Sequence, residues 1–463
     1  MASYDAFWLP GIQVETTVMT AVRDGRSIEV RFPVLTASQI RQCAARLKAR
    51  RREVLTRRSI DEIIETLDSV ARFWLEDTPL RSHAVTAISV LSGFSEEMVS
   101  HAIHLEQMSS RGPDMRRALD RELGNRLALD GFIKTPKGRS TAVGPELIGG
   151  IFSANIPALP HLTVMRSFLV KAACMGRVSR GEPLYLPLYA QSLAAIDPEL
   201  SECLAVVYYD RDKYELSDAF LECSDHLIAY GGDAALAEIE KRLPHGSRAT
   251  WHGHRMGFAW LTSSVMTKSD SLGLAEKLAY DFSVFDQHAC LAPQAVYVES
   301  GGEVSPETFA EQLSIAMTKV QKRLPARALL PEEAPALRSA LELSRVEAAM
   351  GDARLVSDTL QSSVVIRQLD TLMPGPLDRF VTVVPVDKAE DVFAQINPVR
   401  QYLQCAAVAG ISEEDRLQLA RLGVTRLCPP GAMGTPSMVW AHDGRLCLAD
   451  LVRWCDEESL PPG

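Results

Sequence analysis

The sequence predicts an α/β protein behind a helical N-terminal region, on three observations. From about Val143 onward, apolar runs of strand length alternate with helical segments, the texture of a parallel sheet wrapped by crossover helices. The first 140 or so residues show helical apolar periodicity and few turn clusters. A chain of 463 residues, 46% of them hydrophobic, has ample material for two or three domains rather than one.

Taken in order, residues 36–77 predict charged amphipathic helix, with Ile60, Ile63, Ile64, Leu67 and Val70 on one stripe. The basic run Arg50-Arg51-Arg52, with Glu53, Arg57 and Arg58 after it, reads as a solvated helix face. Residues 148–151, 205–208 and 226–229 predict strands with helices between them. A second α/β stretch begins after about Arg255. In it, Leu274, Leu278 and Phe282 recur at helical spacing, Pro293 forbids continuation, and Ala295-Val296-Tyr297-Val298 reads as a strand. Residues 380–385 predict another strand, and the Pro-rich segment 324–335 predicts a loop between helices. No internal repeat stands out.

Composition excludes several classes of function. A net charge of -10 provides no basic field to hold nucleic acid or an anionic membrane. Nine cysteines are scattered with no C-x-x-C pair, so neither a disulfide framework nor a zinc knuckle is indicated. The opening Met1-Ala2-Ser3-Tyr4-Asp5 carries no signal peptide, and a cytoplasmic location is expected. The most apolar segment, 147–164, is broken by Pro157 and Pro160 and is not expected to span a membrane. His252-x-His254 and His101-x-x-His104 lack a third ligand at recognisable spacing, so no metal is assigned. No G-x-S-x-G elbow occurs.

Four local features carry candidate chemistry. In Val284-Phe285-Asp286-Gln287-His288-Ala289-Cys290-Leu291-Ala292-Pro293, a cysteine sits in a small-residue turn between helix and strand. A thiol there can be exposed and activated by amide dipoles. Gly149-Gly150-Ile151-Phe152-Ser153-Ala154-Asn155-Ile156-Pro157 ends a strand in an asparagine able to donate to a developing oxyanion. Gly176-Arg177-Val178-Ser179-Arg180-Gly181 places two cations and a hydroxyl at a strand end. Ile228-Ala229-Tyr230-Gly231-Gly232-Asp233 is a strand followed by a glycine pair that opens a helix, whose amides suit a diphosphate.

In this order the four features resemble the aldehyde dehydrogenase superfamily, and more closely its acyl-CoA reductase (LuxC-like) branch. The resemblance covers roughly residues 140–456. It includes Gly253-His254-Arg255-Met256-Gly257-Phe258, Gly423-Val424-Thr425-Arg426, Trp440-Ala441-His442-Asp443-Gly444 and Asp450-Leu451-Val452-Arg453-Trp454. It implies an aldehyde dehydrogenase-like fold: a Rossmann-type cofactor domain plus an α/β catalytic Cys domain. The expected division is a helical region at 1–140, a cofactor domain at 141–257, a Cys domain at 258–435 and a tail at 436–463.

Carried over residue by residue, the resemblance makes Cys290 the nucleophile and Asn155, with the Cys290 backbone N–H, the oxyanion hole. Arg177 falls where the superfamily has a lysine reaching the adenosine ribose. Arg180 falls where NAD-preferring members often have a glutamate, so a cation there favours NADPH, with Ser179 between the two. Gly231 and Gly232 match the turn beneath the diphosphate. There is no G-x-G-x-x-G.

Two departures matter. The glutamate base of hydrolytic members is replaced by Gly253-His254-Arg255-Met256-Gly257, which offers no carboxylate to activate water. The glutamate that usually holds the nicotinamide ribose has no clear counterpart near Met373-Pro374-Gly375-Pro376-Leu377.

The implied activity is NADPH-dependent reduction of an acyl thioester, from acyl-CoA or an acyl-carrier protein, to an aldehyde. The same site run oxidatively as a CoA-acylating aldehyde dehydrogenase, or a non-catalytic acyl- or carrier-binding subunit, are the alternatives. A homo-oligomer is expected. His254 and His288 read as structural or surface histidines more readily than as catalytic ones.

Overall fold

The computed structural model describes residues 2–136, 138–329 and 334–458. The chain forms two compact units: one built from residues 1–92, 100–253 and 437–463, the other from 93–99 and 254–436.

The first unit begins with β1 (Ala2–Asp5), β2 (Glu15–Arg23) and β3 (Arg26–Val34), in the order β1-β3-β2. Along the chain follow α1 (Ala37–Glu53), α2 (Ile60–Leu75), α3 (Pro79–Ser92), α4 (Glu96–Met108) and α5 (Gly112–Leu123), then β4 (Ile133–Thr135) and β5 (Gly138–Val143). Next come β6 (Leu147–Ile151), α6 (Pro160–Leu169), β7 (Ala173–Arg177), α7 (Tyr185–Ile196), α8 (Pro198–Ser201) and β8 (Leu204–Val207). They are followed by α9 (Tyr214–Cys223), β9 (His226–Tyr230), α10 (Asp233–Arg242) and β10 (Arg248–His252).

Strands β6 to β10 form an all-parallel sheet in the order β10-β9-β6-β7-β8. Strands β6 to β9 are almost wholly buried because both faces are covered, whereas the edge strand β10 is partly exposed. One face packs Leu147, Met175, Val207 and Leu227 against Ile40 and Leu47 of α1 and Phe220 of α9. On α2, Trp74 Nε1 donates to Ser192 Oγ of α7 at 2.8 Å. The chain builds outward from β6 to β8 and then returns to β9 on the other side of β6. A parallel sheet gathers its ligands outside the strand ends at such a reversal, here the ends of β6 and β9.

The second unit contains β11 (Met256–Leu261), α11 (Ser271–Ser283), β12 (Pro293–Glu299), α12 (Pro306–Arg323), α13 (Ala334–Met350), β13 (Ala353–Asp358) and β14 (Ser363–Arg367). It continues with β15 (Phe380–Val386), α14 (Ala389–Ile396), β16 (Leu403–Ala409), α15 (Glu413–Arg421) and β17 (Arg426–Cys428). These strands form a seven-stranded sheet in the order β13-β14-β15-β12-β11-β16-β17, parallel except at the β13–β14 edge. Phe258, Trp260, Tyr297, Val384 and Ile396 lie in its core. The chain then returns to the first unit, where β18 (Arg453–Glu458) pairs antiparallel with β5.

Three expectations are refined. The N-terminal region is largely helical, with α1 to α5 filling most of residues 37–123, but strands β1 to β3 precede those helices and β4 and β5 follow them. Strand β2 exposes most of its residues and alternates only weakly, so its strand character is hidden from apolar periodicity. Residues 36–77 are two helices rather than one, because Ser59 starts α2 afresh with a capping box to Glu62. The basic run is also not simply solvated. Arg51 is buried, and its guanidinium donates to the carbonyls of Lys171 (2.7 Å) and Gly144 (3.1 Å). The expected 324–335 loop is seen where described, with residues 330–333 outside the described residues and α13 beginning at Ala334.

Gly257 ties β11 to the turn that carries Cys290. A Cβ there would meet the carbonyl oxygens of Leu291 at 2.7 Å and Ala292 at 2.9 Å, both rigid backbone. Gly257→Ala is therefore expected to destabilise the protein by about 1–3 kcal/mol through overpacking. Urea unfolding measures it, and an unchanged midpoint would contradict the close approach.

Candidate active site

Cys290 lies in the turn between α11 and β12 and is half-buried. The approach to it is unusual backbone. Phe285, Asp286 and Gln287 all have positive φ (55°, 48° and 65°), and so do Leu377, Asp378 and Arg379 (65°, 52° and 62°). A left-handed conformation costs a non-glycine residue on the order of 1–2 kcal/mol, so two such runs persist only where contacts over-determine them.

The contacts are ionic and buried. Arg379, with 0% exposure, donates from Nε to Asp286 Oδ1 at 2.5 Å, from Nη1 to Gln321 Oε1 at 2.7 Å and from Nη2 to the Leu324 carbonyl at 2.8 Å. The Asp378 amide donates to the Asp286 carbonyl at 3.0 Å, and the Arg327 amide to Asp286 Oδ2 at 2.9 Å. His288 Nε2 lies 3.0 Å from Asp378 Oδ1, which also accepts from Arg327 Nε at 2.7 Å. Burial raises the Asp378 pKa, but His288 and Arg327 outweigh it and hold the carboxyl below its usual range. Gln287 Nε2 donates to the carbonyls of Pro293 and Phe380. His288 is thus part of the platform beneath the cysteine turn. His254 is exposed, edge-on to the Tyr402 ring.

The other candidate residues lie in the first unit. Asn155 is half-buried on the loop between β6 and α6, and Ser153 Oγ donates to its Oδ1. With the oxygen end engaged, the amide nitrogen is the end directed away from Ser153. Arg177 ends β7, stacked 4.8 Å above the Tyr209 ring with Nη2 donating to the Tyr209 carbonyl at 2.9 Å. Burial lowers its pKa, and Arg211 adds to the effect. Ser179 is half-buried, bridged to Glu182. Arg180 is exposed, with Nη2 3.9 Å from Met19 Sδ and Tyr208 nearby, and no carboxylate pairs with it among the described residues.

Gly231 and Gly232 link β9 to α10. A Cβ at Gly232 would meet nothing within 4 Å, its φ is an ordinary -72°, and at Gly231 the nearest atom is 3.6 Å away. Neither torsion nor packing demands glycine at this turn, whereas a ligand lying against the backbone would. Asp233 heads the helix, so the turn supplies room more than positive charge.

The tail adds a feature that sequence spacing could not reveal. Tyr230, His252, His442 and Trp440 form a continuous ring stack, with successive centroids 4.5, 4.2 and 4.7 Å apart. His252 Nδ1 lies 2.7 Å from Asp443 Oδ2, and His442 Nε2 lies 3.9 Å from the same oxygen. His252, His442 and Asp443 therefore do gather three potential ligand atoms, although 190 residues separate them in the chain. The two imidazoles are only 22° from parallel, however, so their nitrogens cannot converge on one ion unless a ring leaves the stack.

Residues 55–454 match the acyl-CoA reductase (LuxC) family. The chain belongs to that family. Among its LuxC relatives, the long-chain acyl-protein thioester reductase 2 of Photobacterium leiognathi is 21% identical over 448 residues, covering 93% of this chain and 88% of the relative. The long-chain acyl-protein thioester reductase of Vibrio harveyi is 24% identical over 419 residues, covering 86% and 83%. The fold is that of aldehyde dehydrogenases. An NAD-dependent aldehyde dehydrogenase from Sinorhizobium meliloti superposes with a TM-score of 0.72 at 12% identity, covering 100% of this chain and 96% of that one. No helix among the described residues is long and apolar enough to cross a membrane.

Arg379 is the test of the platform. Removing one partner of a buried ion pair strands the other charge, at about 3–5 kcal/mol. Arg379→Met is expected to cost that much in denaturant unfolding, and a loss below about 1 kcal/mol would show that the pair does not hold the two left-handed runs.

Proposed function

We propose that this LuxC-family protein reduces an acyl thioester to the aldehyde, using NADPH and a thioacyl intermediate on Cys290. The observation that carries the reading is a half-exposed cysteine in a turn fixed by the Asp286–Arg379 pair, within an aldehyde dehydrogenase fold. A nucleophile needs access and a fixed position together, whereas a cysteine serving only as a small hydrophobe needs neither.

In this mechanism the Cys290 sulfur attacks the thioester carbonyl, and the Asn155 amide nitrogen donates to the oxyanion. The carrier thiolate leaves as the carbonyl re-forms. The reduced nicotinamide, when bound, supplies the hydride. The resulting thiohemiacetal collapses to aldehyde and returns the thiolate to Cys290. The link from β10 to β11, His252-Gly253-His254-Arg255, holds no carboxylate. Without a base there to activate water, the thioacyl group persists for reduction instead of being hydrolysed.

The residues fit a dinucleotide. The Gly231–Gly232 turn leaves room for the diphosphate, and Arg180 presents an exposed cation without a carboxylate partner among the described residues. A 2'-phosphate placed there gains a charge-assisted contact that NAD lacks. Thioesters of CoA and of a carrier protein share the chemistry at the carbonyl.

Cys290→Ala is expected to form no labelled adduct with a radioactive acyl thioester and to release no aldehyde; aldehyde release at the normal rate would remove the assignment. Asn155→Ala should keep the adduct but lower kcat by about 10²–10³-fold, the usual loss for one oxyanion donor. Arg180→Ala should cut kcat/KM for NADPH roughly ten- to a hundredfold while leaving NADH almost unchanged. Equal losses for the two cofactors would rule out a 2'-phosphate contact.

A further inference from the structure

Helix α6 leaves the Asn155 loop and is buried almost all round: of its ten residues only Leu162 and Arg166 keep partial exposure. They are four apart, hence on one face one turn apart. Both are half-buried.

The Arg166 guanidinium makes no hydrogen bond and no ion pair among the described residues. Its titratable neighbours include Cys447, Tyr230, Glu122 and Glu106, each half-buried, and the buried His161. All belong to the first unit, and Tyr230 ends β9, at the reversal point of the parallel sheet.

The two carboxylates do not discharge the arginine. Glu122 is committed elsewhere, with its Oε2 accepting from the amides of Leu448 (2.6 Å) and Ala449 (3.0 Å). Glu106 is pushed up to about 7 by burial, against the pull of Arg166, so near neutral pH it carries only part of its charge. An arginine stays charged at any such pH, and its fork of donors is rarely left half-buried without an acceptor.

We propose that Arg166 is an anion-recognition residue for the thioester substrate, receiving a carboxylate or phosphate oxygen of that molecule. This rests on the reductase reading above. In that reading the cofactor's anionic groups already have places at the Gly231–Gly232 turn and at Arg180. The anions left unaccounted for are those of the thioester: a carboxylate on the acyl group or a phosphate of the pantetheine arm. Both offer the paired oxygens that a guanidinium holds in bidentate fashion.

The experiment compares full-length wild type, Arg166→Gln and Arg166→Lys on four thioesters. These are butyryl and succinyl groups, each carried on CoA and on N-acetylcysteamine, which has no phosphate. Arg166→Gln should lower kcat/KM about ten- to a hundredfold on substrates bearing the recognised anion, with much of the loss restored in Arg166→Lys. Loss confined to the two succinyl thioesters identifies the acyl carboxylate, and loss confined to the two CoA thioesters identifies the phosphate.

Three results overturn the proposal: an equal loss on butyryl-N-acetylcysteamine, a matching rise in the Kd for NADPH, or no change on any of the four. If wild type reduces none of them, the reductase reading is what has failed. Thermal protection by malonate and by inorganic phosphate then decides Arg166 alone. Protection seen in wild type and lost in Arg166→Gln supports the anion site, and protection absent from wild type or identical in the two proteins overturns it.

Discussion

The Arg379–Asp286 pair is the constraint on which the cysteine turn depends. Neither the run Phe285–Gln287 nor the run Leu377–Arg379 is held by local preference, because three consecutive side chains with positive φ oppose it in each. What holds them is a guanidinium with no solvent contact, satisfied by one carboxylate, one side-chain amide and one carbonyl. A buried charge pair is a poor source of net stability, since desolvation offsets most of its Coulomb energy. Its value here is directional. It defines one relative position for β15 and the segment entering β12, and Cys290 sits three residues before that strand.

The same economy runs through the platform. Asp378 serves His288 and Arg327 at once, and Asp286 serves Arg379 and the Arg327 amide, so each carboxylate closes two connections. A side chain whose neighbours are all fixed loses little entropy on reaching a transition state. That is the advantage of placing a nucleophile in a rigid turn rather than on a mobile loop. The strain stored in the left-handed residues is the cost of aiming the turn.

The parts legible in the sequence were those with local signatures. Strands β6, β8 and β9 are continuous apolar runs because they are buried on both faces, and that pattern survives in one dimension. The Cys290 turn was legible from small residues followed by Pro293. The edge hairpin β2–β3 was missed although it carried a signal: Asp24-Gly25, both with positive φ, is a favoured two-residue hairpin turn. Strand β2 is too exposed for apolar alternation to announce it, whereas β3 does alternate, with Ile28, Val30 and Phe32 buried between Ser27, Glu29 and Arg31. Arg379 was missed for a different reason. Its partner lies 93 residues away, and nothing at either position distinguishes a buried arginine from a surface one. Arg51 was misread on the same ground, since it stands in one basic run with the half-buried Arg50 and the exposed Arg52. The stack of Tyr230, His252, His442 and Trp440 also joins residues that only the fold brings together.

Arg379 and Arg166 bring out what an embedded arginine can mean. Both sit on elements packed into their own units, and neither is distinguished by its sequence context. For Arg379 each guanidinium nitrogen donates to a protein acceptor, so its charge is spent on the shape of the chain. For Arg166 none is answered by a described residue, and the one nearby carboxyl not otherwise committed, Glu106, is half-neutralised by its own burial. A fold that can satisfy one arginine fully has the means to satisfy another. An unanswered cation beside the ligand-gathering ends of a parallel sheet is therefore read more economically as awaiting a substrate anion than as a defect of packing.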